Sequence, residues 1–208
     1  MRDYSIERAG GANIFVNFAI IKRRQISQTL FNMKYTIFPL GNPGEKYEKT
    51  RHNTGRFVFS LAKKEKGIKN LLEGGRIEIF TPDCFMNESG KYLKEYLKNK
   101  NIPKENIIVI YDDKDLEIGE IRKAKDRGDG GHNGLKNIIE NLGTKDFYRI
   151  RIGIAPKGTG KNDLVPPHGE VVQKYVLGKM TKEEIEILSS EKILERVSIF
   201  IEEIIKQK

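Results

Sequence analysis

Five polar side chains of this chain stand beside glycine turns, at positions suited to chemistry. They are Asn42 in Gly41-Asn42-Pro43-Gly44, His52 in Thr50-Arg51-His52-Asn53-Thr54-Gly55, Asn87 in Phe85-Met86-Asn87-Glu88-Ser89-Gly90, Asp112 in Tyr111-Asp112-Asp113, and Asn133 in Gly130-Gly131-His132-Asn133-Gly134. A buried Asn or His must have its hydrogen bonds met, so a core seldom recruits several of them without a task. Histidine is the best base near neutral pH, and a carboxylate on its second nitrogen fixes tautomer and orientation. His52 and Asp112 could form that pair, with water taking the place of a serine nucleophile. The amides of Asn42, Asn87 and Asn133 are uncharged donors suited to an oxyanion or a peptide backbone. The combination suggests hydrolysis of a carbonyl ester without a metal.

Each residue also has a structural reading. His52 could be a helix cap or a surface residue, Asp112 could start a turn, and Asn133 could cap the following helix. The glycines before that helix could cradle a nucleotide phosphate, but GxxxxGK[ST] is absent and no acidic residue follows at the ribose-binding distance. Cys84 as a nucleophile has no identifiable base beside it. Three histidines and one cysteine make a zinc site only by long-range coincidence, and His168 sits at no recognisable ligand spacing.

The elements that must position these groups alternate. Tyr35 to Leu40 reads as a strand ended by the first glycine turn. Thr54 to Lys66 carries Phe57, Val58, Leu61 and Ala62 at helical spacing, with Gly67 as its C-terminal cap. Arg76 to Thr81 reads as a strand, Ser89 to Asn99 as a helix, and Ile107 to Ile110 as a buried strand. Ile121 to Ala124 reads as a short edge strand, Leu135 to Leu142 as a helix stopped by Gly143, and Tyr148 to Ile154 as a strand. Ala155 to Glu170 is a polar loop. Thr181, with Glu184 three residues on, opens the last helix as a capping box, and Ile185, Leu188, Leu194, Val197, Ile201 and Ile204 share its apolar face. Such alternation predicts a three-layer α/β sandwich with a mostly parallel mixed central sheet. Ligands collect beyond the carboxyl ends of such strands, where Asn42, Asn87 and Asp112 are expected.

The chain has 208 residues, room for one well-buried domain. Lys and Arg number 38 against 29 Asp and Glu, a surplus of +9 that favours polyanionic partners. One cysteine excludes an internal disulfide and a multi-cysteine metal site. No apolar run reaches the roughly 18 residues that span a bilayer. Met33-Lys34-Tyr35-Thr36-Ile37-Phe38 reads like a natural start running into the first strand, whereas residues 1–32 have neither helical nor strand periodicity. They are expected to be a dispensable extension or the product of an upstream start assignment, leaving 33–208 as a single domain.

The glycine-flanked series resembles, in order and spacing, the bacterial peptidyl-tRNA hydrolases. The likeness continues through Leu142-Gly143-Thr144-Lys145-Asp146-Phe147, Arg149-Ile150-Arg151-Ile152-Gly153-Ile154 and Tyr175-Val176-Leu177-Gly178-Lys179. It implies hydrolysis of the ester between a peptide and the 3′ ribose of tRNA, by a cytoplasmic monomer with no cofactor and no membrane partner. It implies that His52 activates water and Asp112 orients it, and that Asn42 and Asn87 hold the peptide and the reacting carbonyl. Asn133 would bind substrate and order the water, and Tyr47 would lie near the 3′ end of the tRNA. Arg122, Lys123, Lys125 and Arg151 are the cations placed for tRNA phosphates, and Lys91, Lys94 and Lys98 could extend that patch along one side of a helix.

The chain departs from the family pattern at Pro39, Glu88 and Lys114, and at Asp126, Arg127 and Asp129 in the glycine loop. The stretch before the Asn87 motif is also shorter than usual. None of these changes removes one of the five polar groups. A non-catalytic RNA-binding relative of the same fold is the alternative, favoured by loss of His52 or Asp112, both of which are present. A small-ester hydrolase of another α/β type would need a G-x-S-x-G elbow, which is absent.

Overall fold

The computed structural model describes residues 34–98, 100, 102–158 and 169–206. The expectations for residues 1–32 and for His168 lie outside them. Five strands form one sheet: β1 (Tyr35–Pro39), β2 (Ile77–Ile79), β3 (Ile107–Glu117), β4 (Ile121–Lys125) and β5 (Tyr148–Ala155), in the order β2-β1-β3-β5-β4. Neighbours are parallel except β4, which pairs antiparallel with β5 at the edge. Seven helices accompany them among the described residues: α1 (Thr54–Ala62), α2 (Lys66–Glu73), α3 (Ser89–Lys98), α4 (Asn133–Leu142), α5 (Glu170–Leu177), α6 (Lys182–Leu188) and α7 (Glu191–Lys206).

Strand alternation divides the core in two. Tyr35, Ile37, Ile108, Ile110, Ile150 and Ile152 pack with Val58 and Phe59 of α1, Ile68 of α2, and Val197, Ile201 and Ile204 of α7. On the opposite face Phe38, Leu40, Val109 and Tyr111 meet Leu93 of α3 and Leu135, Ile138 and Leu142 of α4. Because both faces of the central strands are covered, they read as continuous apolar runs. The three-layer α/β sandwich follows directly.

The structure corrects four details of the sequence reading. The helix expected over Thr54–Lys66 is two helices, because Glu65 turns extended (φ −61°, ψ 140°) and swings fully buried Ile68 into the core. Gly67 is therefore not a cap. It lies in α2 where a Cβ would stand 1.9 Å from Glu202 Oε1, so its role is close approach to α7. The last helix likewise breaks between Leu188 and Glu191, where the Ser190 hydroxyl donates to the Ile187 carbonyl at 2.6 Å. Strand β3 runs on to Glu117, so Asp112 lies within it instead of beyond its end. Finally, Glu170–Leu177 forms helix α5, with Glu170 opening it instead of closing a loop. The cap of α6 follows expectation: the Glu184 amide donates to Thr181 Oγ1 at 3.2 Å, and the Thr181 amide donates to Glu184 Oε2 at 2.6 Å.

Candidate active site

His52 lies in a single 3₁₀ turn, Arg51–Asn53, between the extended backbone of Thr50 and the start of α1. Three contacts hold that turn. Arg51 forks onto Glu184, with Nε to Oε1 at 2.9 Å and Nη2 to Oε2 at 3.1 Å, and stacks on the Tyr175 ring with its guanidinium carbon 4.4 Å from the centroid. The capping glutamate of α6 is thus also the anchor of the histidine turn. Asn53 clasps Asn42: the Asn42 amide donates to Asn53 Oδ1 at 2.8 Å, and Asn53 Nδ2 donates to the Asn42 carbonyl at 2.9 Å. Gly55, one turn further, lets α1 lie on the sheet, since a Cβ there would meet the Ile110 carbonyl oxygen at 2.3 Å. That approach brings His52 over Asp112.

Asp112 is 3% exposed and His52 7%. His52 Nδ1 is 2.9 Å from Asp112 Oδ2 and 3.1 Å from Oδ1. A second histidine shares the carboxylate, with His132 Nε2 3.1 Å from Asp112 Oδ1. The backbone fixes the protonation of that ring. The Leu135 amide donates to His132 Nδ1 at 3.3 Å as the N-cap of α4, so Nδ1 is the acceptor and Nε2 carries the proton given to Asp112. The two imidazole centroids are 4.7 Å apart, and Tyr111 stands edge-on to His132 at 5.1 Å. Burial alone would push the Asp112 carboxyl up, but the charges and hydrogen bonds of His52 and His132 together outweigh it and hold the group below the usual carboxylate range. Asp112 therefore stays ionised and accepts a hydrogen bond from each ring. His52 Nδ1 is then the donor, and its Nε2 holds a lone pair.

His52, Asp112 and His132 bring one potential ligand atom each within 4.8 Å, a cluster that sequence spacing did not suggest. Its chemistry does not suit an ion. His52 Nδ1 and His132 Nε2 are spent on Asp112, and His132 Nδ1 is spent on the helix cap. Of the imidazole nitrogens only His52 Nε2 remains, which with an oxygen of Asp112 makes at most two ligands, whereas zinc needs at least three protein ligands near 2.0–2.3 Å.

These groups open on a cavity of ≈ 760 Å³, lined among others by Asn42, Tyr47, His52, Asn87, Asp112 and Asn133. Five residues separated by up to 91 positions in sequence, with Tyr47, thus meet at one opening. Asn42 is buried and its Oδ1 accepts from the Met86 amide at 2.8 Å, which orients the amide nitrogen as the remaining donor. Asn87, in the 3₁₀ turn Met86–Glu88, and Asn133, first residue of α4, are both exposed. Asn133 is not the cap of α4, because His132 is. Tyr47 meets Phe85 edge-on at 6.2 Å. Cys84 is buried, and burial pushes its thiol up, away from the reactive thiolate.

The four cations expected at phosphates are all engaged with carboxylates: Arg122 with Glu120, Lys123 with Glu203, Lys125 with Asp146 and Arg151 with Asp113. The first three are exposed, and such surface pairs contribute little and exchange readily. Arg151 differs, being buried with Nε 2.7 Å from Asp113 Oδ2. Lys91, Lys94 and Lys98 are exposed on α3, with Lys98 paired to Glu95. The contribution of His132 went unread in the sequence; a second histidine next to Asn133 in a glycine loop was the available signal.

A model of the peptidyl-tRNA hydrolase family matches residues 36–208. The peptidyl-tRNA hydrolase of Caldanaerobacter subterraneus subsp. tengcongensis is 42% identical over 166 residues, which is 74% of this chain and 84% of that protein. The peptidyl-tRNA hydrolase of Clostridium tetani is 40% identical over 162 residues, 72% and 80% of the two chains. Among solved structures, that of peptidyl-tRNA hydrolase from Acinetobacter baumannii superposes with a TM-score of 0.65 at 30% identity, covering 85% of this chain and 93% of the other.

Proposed function

We propose, from the premise that this chain belongs to the peptidyl-tRNA hydrolase family, a division of labour among the residues of its cavity. The chain is an enzyme that hydrolyses the ester between peptide and tRNA, releasing both. The observation that carries the roles is the His52–Asp112 pair opening on a cavity lined by three asparagines.

Asp112 accepts a hydrogen bond from the Nδ1–H of His52 and leaves Nε2 facing the reaction. Water loses a proton to His52 Nε2 as its oxygen attacks the ester carbonyl, and Asp112 steadies the imidazolium that forms. The carbonyl oxygen takes up the negative charge, where the amides of Asn42, Asn87 and Asn133 are the uncharged donors at hand. As the tetrahedral centre collapses, the bond to the 3′ ribose oxygen breaks and that oxygen takes the proton from Nε2. His132 touches no reacting atom in this scheme. It positions Asp112, since its fixed Nε2–H pins one carboxylate oxygen. Tyr47 at the cavity mouth would meet the tRNA terminus. No described helix is long and apolar enough to cross a membrane, and we read the enzyme as a cytoplasmic monomer.

The test is release of N-blocked peptide from tRNA by the purified chain and by His52→Ala. A general base contributes roughly 100- to 10,000-fold, so the variant should lose at least that order of turnover while still binding tRNA. Near-normal turnover by His52→Ala would remove His52 from the chemistry. The non-catalytic alternative would require the unaltered chain itself to be inactive.

A further inference from the structure

We infer that Arg127 is the cation that receives a phosphate of the single-stranded 3′ end of the tRNA as it enters the cavity, an assignment that rests on the hydrolase reading above. Besides the two histidines, the basic side chains lining the cavity are Lys114 and Arg127. Lys114 is bound to Asp115 at 2.7 Å. Arg127 is exposed and is held by no carboxylate among the described residues. It is therefore available where the other basic groups are engaged.

The balance of charge at the opening makes such a cation necessary. Carboxylates lining the cavity are Asp112, Asp113, Asp115, Asp129 and Glu170. Asp112 is held by two histidines, Asp113 by Arg151 and Asp115 by Lys114. Among the described residues the Asp129 carboxylate accepts only the Gly131 amide, at 2.7 Å, and Glu170 is paired with no cation. Two uncompensated carboxylates would repel an entering polyanion unless a nearby positive charge offset them. Arg127 is that charge, and its planar guanidinium suits bidentate phosphate contact.

A second observation lies beneath the loop. Arg149 is 0% exposed and none of its three guanidinium nitrogens has a hydrogen-bond acceptor among the described residues; its guanidinium carbon lies 4.2 Å from the centroid of the Phe147 ring. Burial lowers the Arg149 pKa, the charges of Arg127 and Arg151 act in the same direction, and Tyr111 and Asp126 act against it. A buried Arg149 guanidinium with no acceptor among the described residues leaves positive potential under the glycine loop, which an anion would relieve. The loop is also held in one shape: Asp126, just before Arg127, has φ 50°, the only non-glycine positive φ among the described residues. Such a backbone persists where surrounding structure over-determines it.

The experiment measures kcat and KM for the full chain and for Arg127→Gln, Arg127→Glu and Arg127→Lys over a salt series. Three substrates carry the same N-blocked aminoacyl ester: on full tRNA, on a terminal dinucleotide with one internucleotide phosphate, and on adenosine with none. We expect Arg127→Gln to raise KM for the first two by about threefold to tenfold. Arg127→Glu should raise it more, and Arg127→Lys should restore most of it. Turnover at saturation should stay within about twofold. The slope of log KM against log salt should fall by about 0.7, the value for one phosphate of a single strand. The adenosine ester, having no phosphate, should be handled alike by all four proteins. An unchanged KM and salt slope for Arg127→Gln on full tRNA would overturn the inference. So would an equal rise in KM on the adenosine ester. If the unaltered chain hydrolyses none of the three, the activity itself fails and the assignment goes with it; activity with an indifferent Arg127 refutes the assignment alone.

Discussion

Replacing Asp112 by Asn keeps the shape of the side chain but leaves one acceptor oxygen where two imidazoles now share a carboxylate. The Leu135 amide keeps His132 protonated on Nε2, so that ring claims the amide oxygen. The new NH₂ group then faces His52 Nδ1, which must become an acceptor, and the ring proton moves to Nε2. The base is lost. Turning the amide over restores His52 at the expense of two donors opposed at His132, about 1–3 kcal/mol, or roughly 5- to 150-fold. The negative charge beside the imidazolium is gone in either case, which at about 4 Å costs about 1–4 kcal/mol between water and a partly buried setting. Together these terms place the loss in kcat between about 30-fold and 10⁵-fold, centred near 10³, with KM changed little. Single-turnover cleavage of N-blocked peptidyl-tRNA at saturating enzyme measures it directly. A loss under tenfold, or one carried by KM, would refute the shared-carboxylate argument. Stability offers an independent reading. The folded Asp112 carboxyl titrates below its unfolded value near 3.9, so its contribution is present above that pH and is lost as pH falls toward the folded value. Melting temperature should therefore fall more steeply below about pH 4 in the unaltered protein than in Asp112→Asn.

Three further outcomes follow from the geometry. His132→Phe keeps a ring beside His52 and Tyr111 but cannot donate to Asp112; kcat should fall by roughly tenfold or more, with KM on peptidyl-tRNA little changed. His132→Gln, which can still donate, should recover most of the turnover. Gly55→Ala forces a Cβ to within 2.3 Å of the Ile110 carbonyl and 2.9 Å of the Leu40 carbonyl; thermal melting should show destabilisation of about 1–3 kcal/mol, several degrees for a chain of this size. Incubation with a chelator should leave turnover intact, since both clustered histidines spend a ring nitrogen on Asp112; activity lost and then restored by zinc, with the tRNA still folded, would overturn the water-activation scheme.

Much of this is legible in the sequence. Period-two and period-3.6 apolar patterns placed the strands and most helices, because burial on the two sheet faces dictates them. Helix breaks were harder to read. Lys63 to Glu65 and Ser189-Ser190 interrupt helices with residues that also suit an exposed helix face, and only the pull of Ile68 and Ile193 into the core forces the turns. The strand continuation through Asp112 and Asp113 was hidden because charged residues read as a turn. Their neutralisation comes from His52, His132 and Arg151, which lie 60, 20 and 38 residues away from their partners. Of the site, the five polar groups were visible as residue types beside glycines. His132 was overshadowed by its neighbour Asn133, since nothing local tells which of two adjacent side chains caps a helix and which faces the cavity.

Asp112 and Asp113 are adjacent on one strand, yet one serves two histidines and the other an arginine. Around them β3 is apolar on both faces, Ile108 and Ile110 toward one helical layer, Val109 and Tyr111 toward the other. Hydrophobic burial alone therefore would scarcely distinguish the native pairing of β3 with β5 from one displaced by a single residue, although such a slip turns every side chain to the opposite face. A displaced strand would deliver Asp113 to the histidines and leave Arg151 buried opposite the wrong neighbour. The hydrogen bonds to Asp112 and the ion pair of Asp113 thus act as a checksum on strand alignment, penalising the misaligned sheet where the apolar residues cannot. Correct assembly of the sheet and correct assembly of the water-activating pair are, in this fold, the same event.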